Sequence, residues 1–365
     1  MNCCIECFVD PEVKSIISSS KTIGNCDFCH KQDVPVLDID MDSIALTDLV
    51  NLFDGLLDVY TESTNLPDNY PRHKINMLKN ILHDDWYIFN CDADTIHRLL
   101  VGICKERYES EPNLFNFPVG IVELSQEDYL NQFSIMRTYD WEDFLAEIKT
   151  QNRFHTDMFN TKVMDQFFEP MRKTLKKGSV FYRARICTNE KGFSPNEMGP
   201  PLAGVATAGR ANSEGISRLY LADSIETTLH EIRAAAYDYV TVGTFCLHED
   251  IEIVNFTMID KISPFFGIDF TQQAINLKHL RRIGLEISKP LRRHDSPLDY
   301  LPSQYICDYI KSQGYDGVEY ASTMYPVGFN LAVFNKAKLE CVDAVVYDVQ
   351  SLSYTYKRLS RPHGS

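Results

Sequence analysis

No stretch of this 365-residue chain approaches the ~18 to 20 consecutive apolar residues needed to cross a bilayer, which excludes a membrane-spanning helix and leads us to expect a soluble protein. Positive charge is also scarce. Lys and Arg number 36 against 51 Asp and Glu, for a formal net charge of −15 and a pI near 5.1. That field repels polyphosphate chains at long range and argues against nucleic acid as a bulk partner, whereas a small anionic ligand needs only a few local arginines. The opening Met-Asn-Cys-Cys-Ile-Glu-Cys has neither the basic region nor the apolar core of a secretory leader, so the expected location is cytoplasmic. There is no internal repeat. Hydrophobic residues at 44% and aromatics at 12% exclude a disordered chain, and the length suits two or three domains.

Cysteine, by contrast, is plentiful: there are 11. In a reducing compartment they read as metal ligands and small core residues rather than a disulfide framework. Cys4-x2-Cys7 and Cys26-x2-Cys29 lie at the spacing of a four-thiolate zinc ribbon, in which each pair occupies a tight turn and the metal closes a tetrahedron. Cys3 and His30 flank the pairs and are able to replace a ligand. Residues 1–40 carry three Lys and seven Asp or Glu, so this module is expected to be a structural staple or a protein-docking surface rather than a nucleic-acid reader.

From 41 to 165 the pattern is helical. Ser125 with Asp128, and Asp140 with Asp143, have the spacing of N-terminal caps, the second opening a helix Trp141–Arg153 with Phe144, Leu145 and Ile148 inward. None of Arg72, Arg98, Arg107, Arg137 or Arg153 is followed four to six residues later by His, so the Arg/His signature of HEPN-class ribonucleases is absent. His73, His83, His97 and His155 read as surface or core residues. After Lys176-Lys177-Gly178 the period switches to two. Val180–Ile186 places Phe181, Arg183 and Arg185 on one face, and Asp223-Ser224 opens a helix with Ile225, Leu229, Ile232 and Ala236 inward and Glu231 just off that stripe. Further strands are expected at Val240–Leu247, Ile251–Phe256, Gly317–Ala321 and Asn330–Phe334, with a helix Pro302–Gln313 ended by Gly314.

Five polar features stand out in this half: Arg183 in Phe-Tyr-Arg-Ala-Arg, the Gly209-Arg210-Ala211-Asn212 turn, Tyr220 in Leu-Tyr-Leu-Ala-Asp, Glu231, and Ser322 in Glu-Tyr-Ala-Ser-Thr. In this order, with residues 209–233, 314–322 and 328–334 carrying most of the match, the stretch from about Lys177 to Val345 resembles the RES family, named for its Arg, Glu and Ser. The front of the chain resembles, less specifically, the ribbon and helical module found ahead of some RES domains. The resemblance implies a multidomain α+β protein: a zinc-ribbon-like module at 1–40, a helical domain at 41–165, a β-rich, mixed or antiparallel RES domain of ADP-ribosyltransferase-like fold at 166–356, and a tail at 357–365.

It further implies an enzyme that degrades NAD⁺ by hydrolysis or phosphorolysis at the nicotinamide–ribose bond, usually as a toxin with an antitoxin or as a defence effector. Glu231 matches the family's essential acid, Arg183 its NAD⁺-binding arginine, Tyr220 the tyrosine bordering the nicotinamide end, and Ser322 the third name-giving residue. Arg210, Asn212 and Arg185 join them as candidate substrate contacts. Ala211 stands where many members have Trp. The expected metal is structural zinc on Cys4, Cys7, Cys26 and Cys29. NAD⁺ and phosphate are the expected small molecules, and an antitoxin or regulatory protein the expected partner. Two alternatives remain open: transfer of ADP-ribose to a macromolecule, and a zinc-ribbon binding protein with a degenerate RES scaffold.

Overall fold

The first strands of the chain are short. Asn2–Cys4 pairs antiparallel with Val34–Asp38, which pairs in turn with Thr22–Gly24. Between them Pro11–Ser19 is helical because Asp10 caps it, its carboxylate accepting from the Glu12 and Val13 N–H groups at 2.9 and 3.1 Å, while Pro11 fills a first-turn position that needs no N–H partner. These elements share one hydrophobic core with the helices that follow: Cys3, Phe8 and Ile17 cluster with Leu49 and Phe53 of Ile44–Leu57 and with Ile96 and Leu99 of Ala93–Ile103.

The computed structural model of the chain describes residues 1–289 and 296–353, so the expected tail at 357–365 lies outside the described residues. The chain divides into two units, the first Met1–Met171 with Thr257–Leu285, the second Arg172–Phe256 with the described residues from Glu286 onward. The excursion at 257–285 had no counterpart in the sequence reading. It joins the first unit because the helix Phe270–Ser288 buries Ile275 and Leu277 in that unit's core, and because Asn276 accepts the Ile135 N–H at 2.7 Å and donates to the Phe133 carbonyl at 2.8 Å.

Within the first unit Trp141–Thr150 opens on the expected capping box of Asp140 and Asp143 and buries Trp141, Phe144 and Ile148, but it stops three residues before Arg153. Ser125 is not a cap: its hydroxyl returns to the Val122 carbonyl at 2.7 Å, and Glu127–Phe133 starts from Gln126 without a side-chain cap. A small sheet of Thr61–Glu62, Pro118–Gly120 and Asn76–Met77 interrupts the helices, its strands too short for any alternation to be read in the sequence.

The second unit is built on an eight-stranded sheet. From edge to edge it runs Leu339–Asp348, Tyr239–Leu247, Val180–Cys187, Leu219–Ala222, Phe329–Val333, Gly317–Ala321, Ile251–Asn255 and Arg172–Leu175. Among the described residues only Ile251–Asn255 with Gly317–Ala321 is a parallel pair in this sheet, so it is mixed. Alternation along Val180–Cys187 works as expected: Phe181 clusters with Leu219, Leu221 and Phe245, while Ala184 clusters with Val240 and Val242 under Ile225, Leu229 and Ile232.

Two features of this unit position the site. Tyr239–Leu247 pairs along its length with Val180–Cys187, yet that strand meets its other neighbour, Leu219–Ala222, at the single pair Tyr182 with Ala222. The sheet is therefore parted at one seam. The helix Ile225–Glu231, capped by Ser224 Oγ accepting from the Thr227 N–H at 3.1 Å, ends earlier than the expected Ala236 because Arg233 takes a left-handed φ of 53°. Glu231 thus sits on the last turn. The helix Leu301–Ser312 is followed by Gly314 at φ 89°, where a residue without Cβ is favoured. Among the described residues no helix is long and apolar enough to cross a membrane.

Candidate active site

At the parted seam lies a cavity of about 330 Å³, lined by Arg183, Arg210, Tyr220, Glu231, Tyr320 and Asn330 among others. Four of the residues singled out in the sequence therefore line one space although they come from four separate segments. Ser322 reaches it through Glu231. Asn212 and Arg185 do not line it.

Glu231 is fixed by two neutral donors. Its Oε1 accepts from Ser322 Oγ at 2.6 Å and from Asn330 Nδ2 at 2.8 Å. Ser322, itself buried, is held by its own backbone, its N–H donating to the Gly328 carbonyl at 3.0 Å, while its Oγ also accepts from the Tyr325 N–H at 3.0 Å. The second oxygen, Oε2, has only the approach of Arg210 Nη2 at 3.9 Å. One oxygen of the carboxylate is saturated, and the other faces a guanidinium across a gap long for a hydrogen bond. Asn330 escaped the sequence reading, although a buried Asn in an otherwise apolar strand such as Phe329–Val333 is the kind of exception that marks a site.

Arg210 is aimed by a locked turn. Gly209 and Asn212 bridge each other, and Gln304 Nε2 donates to both of their carbonyls at 2.8 Å. The Tyr220 hydroxyl closes the lock, donating to Asn212 Oδ1 at 2.7 Å and accepting the Ala211 N–H at 2.9 Å. A Cβ on Gly209 would come within 2.7 Å of that hydroxyl, which explains the glycine. Asn212, expected to contact substrate, is buried behind the turn, its Nδ2 donating to the Thr207 and Ser213 carbonyls at 2.9 and 3.0 Å. Arg210 itself lies 5.7 Å from the Tyr320 ring centre. Burial works against its charge, but Tyr320 and Glu231 outweigh that and hold its pKa above the usual guanidinium value.

The two arginines of the Val180–Cys187 strand part company. Arg185 stacks over Phe193, 4.0 Å from the ring centre, and donates to the Glu197 carbonyl, which draws it out of the cavity. Arg183 stays in. Its Nε is buried with no hydrogen-bond partner, and burial, reinforced by the Arg185 charge, pushes its pKa down to about 10. A guanidinium in that condition is stabilised by any anion that enters.

In the first unit the four cysteines meet. Cys4, Cys7, Cys26 and Cys29 have their Sγ atoms all within 4.8 Å of one another and form a group able to hold a metal ion. Cys26 Sγ accepts from the Phe28 and Cys29 N–H groups at 3.4 and 3.5 Å, the backbone turn that presents a thiolate to a metal. Cys3 and His30 are not in this group.

Residues 180–357 match the family model for the RES domain. No curated protein matches the chain. Among solved structures, a chain of the M. tuberculosis MbcT-MbcA toxin-antitoxin complex is similar at 14% identity and a TM-score of 0.29, over 50% of this chain and 90% of that one.

Proposed function

We propose that this protein cleaves NAD⁺ between nicotinamide and ribose. The observation that carries the reading is the half-saturated carboxylate of Glu231 in a cavity that also holds Arg183 and Arg210. Nicotinamide departs as a neutral group from a cationic ring and needs no acid, but the ribose left behind becomes oxocarbenium-like. A carboxylate fixed by Ser322 and Asn330 is aligned to offset that charge through its second oxygen, an effect of several kcal/mol. The pyrophosphate suits the guanidinium of Arg183, with Arg210 beside it. These assembled charges support an active site rather than the degenerate-scaffold alternative.

The RES family supports a toxin, acting in the cytoplasm and restrained by an antitoxin or regulatory partner. Zinc suits the thiol group: three Sγ separations of 3.4, 3.5 and 3.8 Å, with all four atoms within 4.8 Å, are close to the roughly 3.8 Å edge of a tetrahedron with metal–sulfur bonds of about 2.3 Å. Zinc there would be structural.

The test is release of free nicotinamide from NAD⁺ by the full chain. Glu231→Gln is expected to lower the rate by roughly 10² to 10³. Absence of release at micromolar enzyme, or a Glu231→Gln variant as fast as wild type, refutes the reading. Running the assay with and without phosphate separates phosphorolysis from hydrolysis, and label from adenine-tagged NAD⁺ appearing on protein or RNA identifies ADP-ribosyl transfer instead.

A further inference from the structure

The first unit contains a second cavity, of about 350 Å³, where the helical turn at Arg72–Lys74, the segment after Glu127–Phe133 and the helix Phe270–Ser288 converge. In a chain of formal charge −15, its lining gathers Lys74, Arg137, Lys278 and His279. Among the described residues none of the four is held in an ion pair. The two carboxylates nearby are engaged elsewhere: Asp85 bonds Arg281 at 2.9 Å, and Asp140 completes the capping box of its helix. We propose that this cavity binds a small phosphorylated ligand of nucleotide type, its phosphates on Lys74, Arg137 and Lys278 and its ring against the aromatic wall.

Several independent features favour an anion here. Arg137 donates through Nη1 to the Asn131 carbonyl at 2.9 Å, but its Nε is buried without a partner, and its backbone sits at a left-handed φ of 52°. Burial, followed by the charge of Lys278, lowers the Lys74 pKa. Burial and then Lys74 push His279 down to about 4, with Asp140 opposing. The Lys74 and Lys278 charges repel one another, and a phosphate relieves that repulsion while supplying an acceptor for Arg137 Nε. The aromatic wall is Trp86 and Tyr60, joined by the indole N–H donating to the phenol oxygen at 2.7 Å, and it offers apolar surface against which a base can pack. No bulk nucleic acid is required; a cavity of this size takes one small molecule.

Trp86 supplies the readout. The chain has two tryptophans, so a Trp141→Phe variant leaves Trp86 as the sole indole. Titrating that full-length variant with ADP is expected to change the Trp86 emission saturably below millimolar concentration, with inorganic pyrophosphate competing. Lys74→Gln with Lys278→Gln is expected to weaken ADP binding roughly tenfold or more, whereas Arg183→Gln leaves the Trp86 signal unchanged. Calorimetry on the Arg183→Gln chain, in which the other cavity has lost that guanidinium, repeats the comparison without the Trp141 substitution. The proposal is overturned by absence of both signal and heat up to millimolar ADP, by failure of pyrophosphate to compete, or by a double variant that binds as tightly as its parent. NAD⁺ cleavage is not measured, so the outcome is independent of the Glu231 reading.

Discussion

Replacing Tyr220 by Phe keeps the ring and removes one oxygen, which separates two roles for this residue. If the ring alone matters, bordering the nicotinamide, the variant should behave as wild type. The geometry assigns the hydroxyl a larger part, because it bridges Asn212 Oδ1 at 2.7 Å and the Ala211 N–H at 2.9 Å, and both residues are almost fully buried. Deleting it strands one acceptor and one donor away from water at about 1–3 kcal/mol each, so after partial relaxation the loss should be about 2–4 kcal/mol. For a unit of this size that lowers the melting temperature by roughly 5–12 °C. The same deletion frees the turn that aims Arg210, so the KM for NAD⁺ should rise more than kcat falls. Urea unfolding followed by circular dichroism, with steady-state kinetics on the same preparation, measures both. Unfolding within about 0.5 kcal/mol of wild type, together with an unchanged KM, would refute the positioning role.

Asn330→Ala removes a 2.8 Å donor from Glu231 Oε1 and should slow nicotinamide release by roughly 10- to 100-fold with little change in KM, checked by initial rates. Lys173→Met leaves the buried Glu319 carboxylate without its partner at 2.8 Å and should cost about 1–3 kcal/mol, discounted because Lys173 is partly open to water. Burial already raises the Glu319 pKa against the pull of Lys173, so without Lys173 it rises further; the deficit should be greatest at neutral and alkaline pH and shrink as pH falls and the folded state takes up the proton, which melts across pH will show. Metal analysis should find one ion per chain, and a chelator or Cys26→Ser should lower the melting temperature by about 5 °C or more; melts unmoved by either would argue against a structural metal on these thiols.

The inner strands of the second unit were legible because β-branched and aromatic residues alternate there, and their bounds shifted by one residue or so, whereas the edge strands Arg172–Leu175 and Leu339–Asp348 were not anticipated. The helix Phe270–Ser288 was not: glutamines, lysine, histidine and two arginines crowd its sequence, and its apolar positions are spread too thinly to declare a face. At the cavity, period two correctly set Arg183 and Arg185 on a common side of their strand, but it carries no knowledge of the loop that brings Phe193 and Glu197 over Arg185. Asn212 was noticed for its place in the turn and proved to be part of the turn's own hydrogen bonding. Arg137 and His73 failed a test of linear spacing, yet both line the cavity of the first unit, because folding joins residues that a count along the chain keeps apart.

The lone pairing of Tyr182 with Ala222 has a consequence for how this protein could be silenced. Neighbouring strands attract each other along their whole edge, so an opening between them persists only while something discourages zipping. Substitutions that let Val180–Cys187 and Leu219–Ala222 exchange even one or two more backbone hydrogen bonds would narrow the gap and shut out a ligand, with every polar side chain of the site left in place.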